Sequence, residues 1–129
     1  MLIGDSPVNN GFRISIEYFL SKGYLKSEIY GSMWGYPDIP HLHYFQSEYV
    51  VQVRKFIDAV LEYTNATQID VIAHSYGVFY GRRALQGGWA KTYSKNSIGT
   101  DSDMYYVGPP LFDKVYNFIA IAGPAWGNA

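Results

Sequence analysis

Cysteine is absent from this chain. That excludes disulfides and thiolate metal sites but leaves the cellular compartment open. No apolar run approaches the roughly 18 residues that a membrane-spanning helix needs. A formal net charge of −1 supplies no overall basic field for nucleic acid or an anionic membrane. The opening Met1-Leu2-Ile3-Gly4-Asp5-Ser6-Pro7 has too short an apolar part for a signal peptide. Phosphate-binding Gly-x-x-x-x-Gly-Lys and dinucleotide fingerprints are missing too, and no cofactor is called for.

What is present is apolar and aromatic. Nearly half the 129 residues are hydrophobic, and thirteen are tyrosines. That length and composition fit a single domain, residues 1–129, with one modest core. Along it, Met1 to Gly4 reads as the end of a strand and Asp5 to Gly11 as a turn-rich loop. Phe12 to Ser21 reads as a helix with Ile16, Phe19 and Leu20 on one face. A short strand is expected at Glu28 to Gly31, then a loop from Met33 to Tyr44. Between Ser47 and Tyr63 the residues Val50, Val53, Ile57, Val60 and Leu61 form a helical apolar stripe. Arg54, Lys55, Asp58 and Glu62 are assigned to its wet side. A strand begins at Ile69, and a helix runs from Tyr76 to about Gln86, closed by Gly87-Gly88. Ala90 to Pro110 reads as a polar, aperiodic loop, and Tyr116 to Gly123 as a buried strand.

Strands alternating with helices imply a parallel sheet with helices on both faces. In such sheets ligands bind beyond the carboxyl ends of the strands. Gly4-Asp5, Ser75 and Gly123-Pro124 all fall at such ends. The sharpest signal is Ile69-Asp70-Val71-Ile72-Ala73-His74-Ser75-Tyr76-Gly77, a strand turning into a helix with a serine at the apex. A nucleophile elbow needs that context, because the strained turn lifts the serine oxygen away from the backbone. Ala73 and Gly77 leave room for strand and helix to pack closely. The helix N-terminus places amide donors and a positive dipole end beside the serine. The bland alternative is a serine that merely caps the helix.

Four segments in one order carry a resemblance. Val53 to Ala66 is followed by the elbow strand, then by Arg82-Arg83-Ala84-Leu85-Gln86-Gly87-Gly88, then by Phe118-Ile119-Ala120-Ile121-Ala122-Gly123. Together they resemble the small triacylglycerol lipases of the α/β-hydrolase fold, known from bacteria, and the lipase-related proteins of nematodes. The resemblance implies a three-layer α/β sandwich on a short, mainly parallel sheet, with the later strands of the full fold missing. It implies Ser75 as nucleophile, the Tyr76 backbone N–H as one oxyanion donor and the Asp5 N–H as the second. Ile3 stands where the family normally has histidine before that second donor. The implied substrate is a lipid ester of the acylglycerol type, and the family is secreted.

The family orders its triad as serine, acid, histidine, yet no histidine follows Ser75. His41 and His43 precede it. His74 adjoins it on the strand, pointing away, and is read as a core or supporting residue. Asp101, Asp103 and Asp113 come before the last strand, whereas the acid should come after. Two expectations compete: a fragment of a working lipase, or a non-catalytic hydrolase-fold remnant that binds a lipid or a protein partner. His41-x-His43 with Asp38 or Glu48, and the Asp101/Asp103 pair, are too incomplete to define a metal site. Tyr76, Phe79 and Trp126 are candidate walls for an acyl crevice, and the Ala90–Pro110 loop is a candidate cover.

Overall fold

The computed structural model describes residues 1–4, 11–33, 47–91 and 104–123. Its main sheet has four parallel strands: β1 (Leu2–Gly4), β2 (Gly31–Met33), β3 (Ile69–His74) and β6 (Val115–Ile121). Their spatial order is β2-β1-β3-β6. Helix α1 (Arg13–Ser21) links β1 to β2, α2 (Ser47–Thr64) precedes β3, and α3 (Tyr76–Gln86) follows it. A second sheet of two antiparallel strands, β4 (Gly88–Lys91) and β5 (Met104–Gly108), lies between α3 and β6 in sequence.

Side chains alternate across a strand, so the register sorts the sheet into two faces. Ile3, Ala73 and Ala120 form one row, and Leu2, Ile72 and Ile119 form the row on the opposite face. The Ile3 face carries α2 and α3. There Val50, Val53 and Ile57 of α2 meet Ile3, Val71 and Ala73 of the sheet and Val78 and Leu85 of α3, and Val60 of α2 is buried as well. The Leu2 face carries α1, whose flanking Phe12 ring lies 3.1 Å from where a side chain on Gly4 would begin. The result is a three-layer α/β arrangement.

The apolar stripe of the second helix is core, as its spacing requires. Arg54 is not on the wet side. It is only 5% exposed, because its position lies four residues after Val50 and three before Ile57, within the apolar face. Its charge is met in place. Nε lies 3.0 Å from Asp58, and Nη1 donates to the carbonyls of Pro109 at 2.7 Å and Ala84 at 3.3 Å. One guanidinium thus joins α2, the end of α3 and the segment after β5.

Three other expectations change. The strand expected at Glu28–Gly31 starts at Gly31, after a single 3-10 turn at Lys26–Glu28. The Glu28 carboxylate accepts from the Leu25 N–H at 2.7 Å, and the Tyr30 hydroxyl donates to the Ser27 carbonyl at 2.6 Å. These local bonds hold the backbone in a turn. The ends of the expected 90–110 loop form a ribbon, in which Ala90 and Val107 turn inward while Trp89, Lys91, Met104 and Tyr106 face out. Finally, β6 pairs fully with β3 but is not buried. Val115 and Phe118 are half-buried and Tyr116, at the irregularity in the register, is exposed; Ile119 and Ile121 are exposed because no described element covers the Leu2 face there.

Candidate functional site at the strand-to-helix turn

Strand β3 ends at His74 and helix α3 begins at Tyr76, leaving Ser75 alone to make the turn. Its backbone sits at φ +55° and ψ −132°, a region that side-chain-bearing residues rarely occupy and that costs on the order of 1–3 kcal/mol. The conformation is held from both sides. The Ser75 N–H donates to the Ile121 carbonyl at 2.9 Å, and the Ser75 carbonyl accepts from the Val78 N–H at 3.0 Å. Ala122, just beyond β6, also has a positive φ of +48°. Two of the three non-glycine positive φ angles among the described residues therefore fall on neighbouring chain segments at the carboxyl end of the sheet, the third being Asn65 just after α2.

Helix and sheet approach so closely that a side chain at Gly77 would begin 2.5 Å from the Ile3 carbonyl oxygen. Ala73, two residues before the serine, is fully buried in the row between Ile3 and Ala120. The small residues flanking the serine are thus steric requirements of the turn. The serine is not acting as a helix cap: its side chain makes no capping hydrogen bond, and its backbone is far from the extended N-cap conformation. Ser75 as a residue is half-buried. Tyr76 and Gly77 open α3, the end whose amides have no acceptor within the helix and which carries the positive end of its dipole.

The three loop positions expected around one crevice follow β1, β3 and β6, which are adjacent in the sheet. Gly4 ends β1 and is buried. Asp5, the expected second oxyanion donor, lies outside the described residues. So do Trp34, Asp38, His41, His43, Asp101, Asp103, Pro124 and Trp126. Tyr76 is half-buried, and Phe79 packs against the core while lying 5.4 Å from the Tyr80 ring.

His74, expected as a core or supporting residue, is not in the core. It is exposed. It points to the Leu2 face, in register with Ile121. Among the described residues no group of three metal-ligating side chains occurs. Glu48, considered beside His41 and His43, instead accepts a hydrogen bond from the Tyr105 hydroxyl at 3.3 Å.

A family model described as Lipase (class 2) matches residues 3–129. The chain belongs to the class 2 lipase family. Its α/β architecture agrees with that membership, and it is a hydrolase domain of lipase type. Comparison with curated proteins and with solved structures found no match. Within this lipase domain the buried arginine is the feature that sequence reading missed, and its i+4 and i−3 spacing to apolar residues was the available signal. None of the described helices is long and apolar enough to cross a membrane.

Proposed function

We propose that this lipase domain hydrolyses carboxylic esters of acylglycerol type with Ser75 as the nucleophile. The observation that carries the reading is the Ser75 conformation, strained in a residue that is not glycine and does not cap its helix. In the proposed reaction the Ser75 oxygen attacks the ester carbonyl carbon and its proton passes to an imidazole. The carbonyl oxygen becomes an oxyanion held by the Tyr76 and Asp5 amides. The alcohol leaves with the proton, and water then hydrolyses the acyl-serine. Each amide donor contributes about 2.7–4 kcal/mol of barrier lowering.

The acid and the histidine of the triad are assigned outside these 129 residues, since all three histidines precede the helix that follows Ser75. Without an imidazole to take its proton, a serine hydroxyl is a weak nucleophile near neutral pH. Secretion is proposed from the same family relation. The test is ester hydrolysis by the native protein that carries this chain, compared with its Ser75→Ala variant. The expected result is release of fatty acid from an emulsified acylglycerol, reduced by about a thousandfold or more in the variant. Equal rates would reject the assignment. Sequencing the transcript past the Ala129 codon tests the placement of the triad partners. A stop codon there would favour a non-catalytic remnant that binds lipid or protein instead.

A further inference from the structure

The polar side chains in the turn between α2 and β3 divide into two that hold it and two that do not. The Thr64 hydroxyl donates to the Val60 carbonyl at 2.7 Å and accepts from the Ala66 N–H at 3.3 Å. The Gln68 side-chain amide donates to the Asp113 carbonyl at 3.1 Å, tying the approach to β3 to the segment before β6. Asn65 and Thr67 alternate with these anchors and are exposed. Among the described residues their side chains make no hydrogen bond.

The backbone explains part of the choice at 65. Its N–H donates to the Glu62 carbonyl at 3.3 Å, and its φ is +53°. Asparagine tolerates that region, and glycine occupies it at no steric cost. Just past α1 and α3 the chain uses glycine, Gly23 at φ +96° and Gly87 at φ +69°. The turn therefore needs a residue that accepts a positive φ, and it makes no use of the Asn65 amide.

Asn65-Ala66-Thr67 is also the only place in the chain where asparagine is followed two residues on by serine or threonine without proline between them. That triplet is the acceptor signal for N-linked oligosaccharides, which folded proteins carry on surface turns. A triplet this short arises by chance. The structure adds what chance does not supply: an exposed amide and an exposed hydroxyl, both idle, in a turn held by other side chains. The location also suits a bulky group. Asn65 precedes β3 and Ser75 follows it, and six strand residues at about 3.3 Å each put roughly 20 Å between them. A glycan at 65 leaves the candidate crevice open.

We propose that Asn65 is an acceptor for an N-linked oligosaccharide. The assignment rests on the proposed secretion, since export is what brings the chain to the sugar donor. In the transfer, Asn65 Nδ2 attacks the anomeric carbon of an oligosaccharide carried on a lipid diphosphate. The carbon–nitrogen bond forms as the bond from that carbon to the diphosphate oxygen breaks. The lipid diphosphate leaves with the electron pair, Nδ2 gives up one of its two protons to the transferase, and nothing is oxidised or reduced. Thr67 supplies the hydroxyl that the transferase requires two residues after the acceptor.

The test is expression of the native protein that carries this chain in cultured eukaryotic cells, directed into the secretory route by a heterologous signal peptide. Digestion with peptide-N-glycosidase in heavy-oxygen water should increase its gel mobility and convert Asn65 to labelled aspartate, located by mass spectrometry. Thr67→Ala should lose the modification at 65 and Thr67→Ser should keep it, although neither change touches a bond that holds the turn. Asn65→Gly, which retains the positive φ without strain, should lose it as well. Circular dichroism melting confirms that each variant is folded. An unmodified Asn65 in the secreted parent overturns the proposal, as does a modification at 65 that survives Thr67→Ala. Ser75→Ala should be modified like the parent, so failure of the nucleophile assignment is read separately. Modification in these cells but not in the protein from its own source would reject the proposed secretion and leave the acceptor assignment standing.

Discussion

Two corners of the molecule rely on the same missing atom and put it to different use. At the elbow, the absent side chain of Gly77 lets α3 close onto the Ile3 carbonyl. At the base of the ribbon, a side chain on Gly87 would collide with the Gly108 carbonyl, and one on Gly108 would begin 3.0 Å from the Arg54 guanidinium. In the second corner the positive φ angles, +69° and +123°, fall on the glycines themselves, where they cost little. In the first, the positive φ falls on Ser75. Backbone shape alone would be served more cheaply by glycine there. Strain borne by glycine marks architecture, and strain borne by serine is what the proposed role of its hydroxyl would account for.

The comparison can be broken most severely at Gly77. Replacement by valine pushes three carbons toward Ile3, where the nearest atom is backbone and cannot rotate away. A loss of about 3 kcal/mol or more is expected, read as a lowered denaturant midpoint or failure to fold. A midpoint unchanged in Gly77→Val would show that the close approach is not a constraint.

At the ribbon corner, Arg54→Met keeps much of the apolar stem but leaves the Ala84 and Pro109 carbonyls without this donor. It should cost about 2–4 kcal/mol. Faster amide exchange over β4, β5 and Pro109–Leu111 should accompany the loss, with β3 and Ser75 little changed. Equal loosening at the elbow would mean that the two corners are not independent.

Ser75→Gly sharpens the contrast, because its two effects should run in opposite directions. Relief of the φ +55° conformation should raise stability by about 1 kcal/mol, while ester hydrolysis is abolished. A variant less stable than the parent would show that the serine is held for structural reasons.

The smallest effect concerns the Met1 amine, which donates to the Asp70 carbonyl at 2.7 Å. Burial lowers its pKa below the ordinary 8.0, with Asp70 pulling weakly the other way. Between the lowered value and 8.0 the unfolded chain holds more protons than the folded one. Stability therefore rises with pH through that window and is lost as pH falls. Acetylation of Met1 keeps the N–H donor and removes the charge, so it should flatten this slope in thermal melts. An unchanged slope would place its origin elsewhere.

Much of the fold was legible because some segments carry a pattern long enough to fix one answer. Helix α2 followed from five apolar residues on one face. Strand β3, its turn and α3 followed from an apolar run meeting Ser75. The ribbon was hidden because each strand is too short to show alternation, and Trp89 finds its partner Tyr106 only in three dimensions. Arg54 was misread because a charge on an apolar face is assigned to water unless its acceptors are known, and those belong to Ala84 and Pro109. Strand β6 was misplaced because an apolar strand is read as buried, whereas burial depends on what lies over it. At the site, the sequence located the serine and its small neighbours. The backbone angles that separate an elbow from a capped helix belong to the structure alone.

The most direct test of the central claim is labelling of the native protein that carries this chain with a fluorophosphonate, followed by mass spectrometric location of the adduct. A single adduct on Ser75, absent from the Ser75→Ala variant, is the predicted result. No adduct, or an adduct that persists in the variant, would contradict it.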